Sequence, residues 1–156
     1  MSAVEGGTGM ASRQQMTGML GVYLTAAELT RRDMIVSVTS RSARGADLLA
    51  TDQGFQHTWS IQVKTNASRA SFWLLGANYK DEKSRHHVYV FVNNVRGDEP
   101  EFLIVPSTYV AQHGTTTPPR STGSIWHAFA KSSALPEHHD PRGWSMFVPH
   151  QSSSSS

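Results

Sequence analysis

The 156-residue chain has no cysteine, which excludes disulfide cross-links, thiolate metal sites and cysteine nucleophiles. That fits a reducing compartment, and the cytoplasm is the expected location. No stretch approaches the roughly 18 apolar residues that a bilayer-spanning helix requires, and no basic segment followed by an apolar one opens the chain. Neither a membrane span nor a secretory leader is therefore expected. No Gly-x-x-x-x-Gly-Lys-Ser/Thr loop is present to cradle a triphosphate, so a nucleotide cofactor is not expected. A Gly-x-Ser-x-Gly elbow, which would support Ser-His-Asp hydrolysis, is also missing. Charge is sparse too: 17% of residues are charged and the net charge is +2. Such a balance does not demand nucleic acid. It permits one, because the basic residues are mostly arginine, whose planar fork suits phosphate, and the isoelectric point is about 9.2.

What is present fits one compact domain, since two full domains would crowd a chain of this length. Residues 1–13, small and polar, and residues 149–156, rich in serine, read as disordered ends, leaving residues 14–148 as the domain. In "QQMTGMLGVYLTAAELTRRD" the residues Met16, Met19 or Leu20, Tyr23, Ala27 and Thr30 recur at helical spacing, which predicts a helix ending near Asp33 with that stripe as its apolar face. "MIVSVTS" reads as a short strand entering a polar loop. "VYVFVNNV" has so few polar interruptions that it should be a central strand covered on both faces. "PEFLIVPS" reads as a strand ended by Pro106, and "STYVAQHG" as a short helix with Ser107 as cap and Gly114 as stop. "NASRASFWLLGANYKDEKSRHH" reads as irregular and partly helical, and "TTTPPRSTG" as a loop. The order is that of an α/β fold with a central mixed β-sheet flanked by helices.

The informative stretch is "GADLLATDQGFQHTWSIQVKT". It reads as two strands joined by a turn at Gln53 and Gly54. In the second strand Trp59, Ile61 and Val63 alternate with Ser60, Gln62 and Lys64, so Gln62 and Lys64 share one face. Asp47, at the start of the first strand, can stand opposite that polar pair.

An Asp on one strand, a turn, and a strand ending in an acidic-or-Gln, any residue, Lys triplet resembles the PD-(D/E)xK nuclease superfamily, here as Asp47 and then Gln62-Val63-Lys64. "GVYLTAAELTRRDMIVSVTSRSARGADLLA" and "VYVFVNNVRGDEPEFLIVPSTYV" are similar to the flanking elements of bacterial members related to Holliday-junction resolvases and small restriction-endonuclease-like proteins. The likeness runs from Gly18 to Val110 and implies a restriction-endonuclease-like core. It further implies a Mg²⁺-dependent (or Mn²⁺-dependent) DNA endonuclease, with DNA as partner and a possible homodimer, since two symmetric sites can cut two strands.

Phosphodiester hydrolysis calls for a hard cation held by oxygen ligands. Asp47 supplies a carboxylate and Gln62 an amide oxygen, while the resemblance implies the Val63 carbonyl as a third ligand. Lys64 would orient the attacking water or counter developing negative charge, with a pKa lowered by a neighbouring cation and an arginine loop. Arg41, Arg44 and Arg69 are candidate phosphate contacts.

Two departures favour the alternative of a weakened or inactive nuclease-fold protein that binds nucleic acid or a protein partner. Gln62 stands where many members have Glu or Asp. Val22 follows Gly21 where related members often have Glu. Glu28 is a possible additional site residue, although six residues place it about 240° around the helix from Val22. Arg31 and Arg32 suit a helix C-terminus without any ligand. His86-His87 and His138-His139 lack zinc-like spacing. Trp73, Trp126, Trp144 and Phe147 read as core or interface anchors rather than base-stacking platforms.

Overall fold

A computed structural model describes residues 9–40, 45–81, 84–117 and 123–147. The first helix, α1 (Arg13–Thr30), opens on a reciprocal cap: the Ser12 hydroxyl accepts from the Gln15 N–H, and the Gln15 side chain accepts from the Ser12 N–H. Helical bonding stops at Thr30, and Asp33, at φ 62°, turns the chain into β1 (Ile35–Val38).

The hairpin follows as β2 (Leu48–Thr51) and β3 (Thr58–Thr65), antiparallel with Leu48 opposite Ile61. Asp52 closes its loop, accepting backbone N–H groups from Gln56 and His57 and pairing with the His57 ring at 2.7 Å. Beyond β4 (Phe72–Leu74) come β5 (His87–Asn93), β6 (Glu101–Pro106), α2 (Ser107–His113), β7 (Thr115–Thr117) and β8 (Trp126–Ala130). Short 3₁₀ turns complete the described chain, the last over Arg142–Phe147.

The main sheet has the order β1-β2-β3-β5-β6, with β3 and β5 parallel and the other pairs antiparallel. It is thus a mixed central sheet. Every residue of β5 is buried, as the unbroken apolar run predicts. One face packs against α1 and the last 3₁₀ turn, joining Val22 and Leu29 to Ile61, Val90, Trp144 and Phe147. The other face packs against α2 and a second sheet of order β4-β8-β7, through Trp73, Tyr89, Phe91, Val110 and Phe129. Trp73 also ties the two sheets together, its indole N–H donating to the Val92 carbonyl at 3.0 Å.

Several sequence expectations need correction. The buried stripe of α1 is Thr17, Gly21, Val22, Thr25 and Leu29, whereas Met16 and Tyr23 are 53% and 57% exposed. Close approach is the reason: a Cβ on Gly21 would overlap the Thr65 side chain, so only small residues fit against β3. The "NASRASFWLLGANYKDEKSRHH" stretch holds a strand, β4, and no helix among its described residues, while "TTTPPRSTG" begins with β7. These three-residue strands exist through pairing with β8 and carry little periodicity of their own. Pro106, not Ser107, is the N-cap of α2, and the buried Ser107 hydroxyl makes no hydrogen bond. Trp126 is 52% exposed, whereas Trp73, Trp144 and Phe147 are core residues. Among the described residues no helix is long and apolar enough to cross a membrane.

Candidate functional site

Strand β2 begins only at Leu48, while its partner β3 runs on to Thr65. The two strands therefore part company next to Asp47, and that parting makes the site. The Asp47 N–H donates to the Ile61 carbonyl at 2.8 Å, and the Thr39 N–H donates to the Asp47 carbonyl at 3.0 Å, so the residue is fixed from both sides. The regular pairing ends at Leu48 with Ile61, and Asp47 also reaches the Ile61 carbonyl, a bulge-like offset that leaves Gln62 at the edge beside it. Where β2 would next have accepted a ladder hydrogen bond, the Asp47 carboxylate does so instead: its Oδ2 accepts the Val63 N–H at 2.8 Å. Among the described residues Oδ1 takes no hydrogen bond.

Strand geometry brings a third oxygen to this edge. Residues two apart on a strand turn their backbone groups the same way. Since Ile61 presents its carbonyl to Asp47, Val63 presents its own to the opening just beyond. Asp47 and Gln62 line a cleft of about 530 Å³ with Thr39, Gly45 and, from α1, Met16 and Val22. Hard oxygen donors are thus present, as a divalent cation would want. Carboxylates are scarce: among the described residues no group of three His, Asp or Glu side chains converges anywhere in the fold.

Lys64 shares its strand face with Gln62, and its register neighbour on β5 is Phe91, which is fully buried. Burial pushes the Lys64 ammonium below the ordinary lysine value, and the Asp47 charge offsets part of that shift. The cause differs from the sequence expectation, which looked to neighbouring cations.

The remaining candidates lie elsewhere. Glu28 is held by Arg31 at 3.1 Å and Arg32 at 2.7 Å, and it does not line the Asp47 cleft. Arg69 lines a separate polar cleft with Glu101 and Lys131. Arg41 and Arg44 lie outside the described residues. Of the paired histidines, His87 bonds the Ser60 hydroxyl at 2.7 Å and His138 accepts the Leu135 N–H at 3.0 Å.

Sequence reasoning passed over Thr39 and Gly45. Thr39 clamps Ala46 and Asp47 through both its hydroxyl and its backbone N–H. Gly45, at φ 69°, adopts the left-handed conformation that starts the approach to Asp47. A glycine two residues ahead of the acidic position was the available signal.

No protein-family model matches the sequence, and no curated protein does. In three dimensions the chain is similar to a bacterial homing endonuclease, I-Ssp6803I, with a TM-score of 0.51 over 89% of this chain and 93% of that one, at 15% identity. The fold is similar to that of a nuclease. At this identity the likeness concerns the fold, and the chemistry must be argued from the residues at the parted strands.

Proposed function

We propose that the protein is a Mg²⁺-dependent DNA endonuclease of the PD-(D/E)xK type, hydrolysing phosphodiester bonds at the edge where β2 leaves β3. One observation carries the reading. The Asp47 carboxylate replaces the ladder partner of the Val63 N–H, tying the acid to β3 between Gln62, which lines the Asp47 cleft, and Lys64, which lines the next one. A structural aspartate at a strand start would not need those companions.

Asp47, Gln62 and the Val63 carbonyl would hold the cation, or Mn²⁺ in its place. When bound, such an ion neutralises charge growing on the phosphate oxygens. The Asp47–Val63 hydrogen bond keeps the carboxylate from rotating and leaves Oδ1 for the site. Lys64 Nζ donates to the attacking water or to a non-bridging phosphate oxygen, countering the charge of the transition state. Its incomplete solvation strengthens that electrostatic effect. DNA is the proposed partner, a reading supported by the likeness in fold to a homing endonuclease. A homodimer would present two such sites to two strands, and the exposed Phe72, Leu74 and Trp126 on the second sheet offer an apolar surface for it.

Incubation with plasmid, branched and single-stranded DNA in Mg²⁺ or Mn²⁺ tests the reading. Cleavage is expected, and Lys64→Ala and Asp47→Asn should each abolish it. Absence of cleavage on every substrate would rule out the enzyme. The second reading, a nuclease-fold protein that binds DNA without cutting, is favoured by the single carboxylate and by apolar Val22 in the cleft. It predicts salt-sensitive DNA retention with no product.

A further inference from the structure

Next along the open edge of β3 lies a second cleft of about 500 Å³, roofed by the first turns of α1 and lined by Arg13, Gln14, Thr17, Lys64 and Asn66. Among the described residues no carboxylate lines it. The contrast with the polar cleft around Arg69 is informative, because Glu99, Glu101 and Asp140 line that one. Some cations elsewhere are paired, Arg31 and Arg32 with Glu28 and Lys131 with Glu101 at 2.7 Å. Among the described residues Arg13 has no ion pair, though it stands at the mouth of a cleft rich in donors. Arg96 adds a third cation at the border, its Nε donating to the Thr17 hydroxyl at 3.0 Å and so fixing the turn after β5 against α1.

We infer that this cleft binds a DNA backbone phosphate, the one next in the strand to the phosphate cut at Asp47 and Gln62. The inference rests on the nuclease reading for the position of the scissile bond. Three features carry it. The two clefts share strand β3, with Gln62 lining the first and Lys64, two residues or about 7 Å along, lining the second, so a nucleic-acid strand laid along this edge meets both. The lining sets the Arg13 and Lys64 cations beside the Gln14 amide and the Thr17 hydroxyl, which suits an anion carrying several acceptor oxygens. Arg13 supplies the planar fork favoured by phosphate, at an exposed position.

The test uses the full-length protein and a fluorescein-labelled duplex in Ca²⁺ or EDTA, with affinity measured by anisotropy across a salt series. Each phosphate neutralised contributes about 0.9 to the slope of log K against log salt. Arg13→Gln should lower the slope by about one and weaken binding about tenfold at 0.1 M salt, whereas Arg13→Lys should keep the wild-type slope. Arg31→Gln, the same charge change at the far end of α1, should leave it unaltered. With the cut position mapped, a neutral methylphosphonate placed one nucleotide away should weaken the wild type but have no further effect on Arg13→Gln. An unchanged slope in Arg13→Gln with cleavage intact overturns the phosphate cleft and leaves the nuclease reading standing. Equal slope losses in Arg13→Gln and Arg31→Gln also overturn it, showing diffuse attraction. A wild-type protein that neither binds nor cuts DNA removes both conclusions.

Discussion

Replacing Gly21 by alanine tests whether the close seating of α1 on β3 holds the site together. A Cβ at this position would overlap Thr65 Oγ1 and come within 2.9 Å of Cγ2 and 3.0 Å of Cβ. Rotation of Thr65 relieves this only in part: with Hβ turned toward Gly21, a γ atom still occupies the 2.9 Å position and the branching carbon stays at 3.0 Å. The helix must move away from the strand, at an overpacking cost of about 2–3 kcal/mol. Alanine's helical preference over glycine returns about 1 kcal/mol. The expected net loss is about 1–2 kcal/mol, read as a lower urea midpoint with an unchanged m-value. Because Thr65 adjoins Lys64, cleavage should fall under conditions where the variant remains folded. Combining Gly21→Ala with Thr65→Ala should recover most of the stability by removing both γ atoms. Thr65→Val alone should be neutral or slightly stabilising, since the Thr65 hydroxyl is buried without a hydrogen-bond partner. A Gly21→Ala protein more stable than wild type by about the full propensity gain would refute the reasoning, because the helix would then have room to spare.

Two further outcomes concern the parted strands. Gln62→Glu gives the site a second carboxylate and should lower the Mg²⁺ concentration for half-maximal cleavage about tenfold, as one added anionic ligand at a hard cation implies; a Mg²⁺ titration that superimposes on the wild type would count against Gln62 as a ligand. Lys64→Met should abolish cleavage yet raise stability at neutral pH, because burial lowers the folded-state pKa of Lys64 below the unfolded value. The sign follows from proton counts: between the two pKa values the unfolded chain binds the extra proton, so wild-type stability rises with pH there and the gap to Lys64→Met narrows toward the unfolded lysine pKa. Urea melts over that alkaline range check it, and a gap constant with pH would show that the ammonium is not desolvated.

The candidate site was legible in sequence because its parts are local. Asp47 and Gln62 belong to one hairpin, and alternation with period two assigns their faces without further information. The uninterrupted β5 run announced burial on both sides for the same kind of reason. The face of α1 was not legible. Met16 and Tyr23 are more apolar than Thr17 and Thr25, and hydrophobicity alone turns them inward. The fold instead selects for size, since Gly21 must lie against Thr65. Thr25 meets its own hydroxyl's need by donating to the Gly21 carbonyl at 2.8 Å, which allows a polar residue in that seam. The second sheet was equally hidden: Phe72–Leu74 finds its partner, β8, more than fifty residues later, and three residues are too few to show a period.

That seam also bears on why the site is poor in carboxylates. Val22 is 7% exposed, lies in the core beside α1 and at the same time lines the Asp47 cleft. A Glu at this position would be a second acid, nearly buried and close to Asp47. Without a cation, two such groups repel each other and lose hydration, so the acid must take up a proton or the helix must lift. Gln62 lightens the same burden one strand over, since an amide oxygen can face a cation or stand uncharged without one. Val22 and Gln62 thus spare the metal-free protein a cluster of buried negative charge. On the proposed nuclease reading, the weaker metal site would leave more of the charge stabilisation to the Lys64 ammonium.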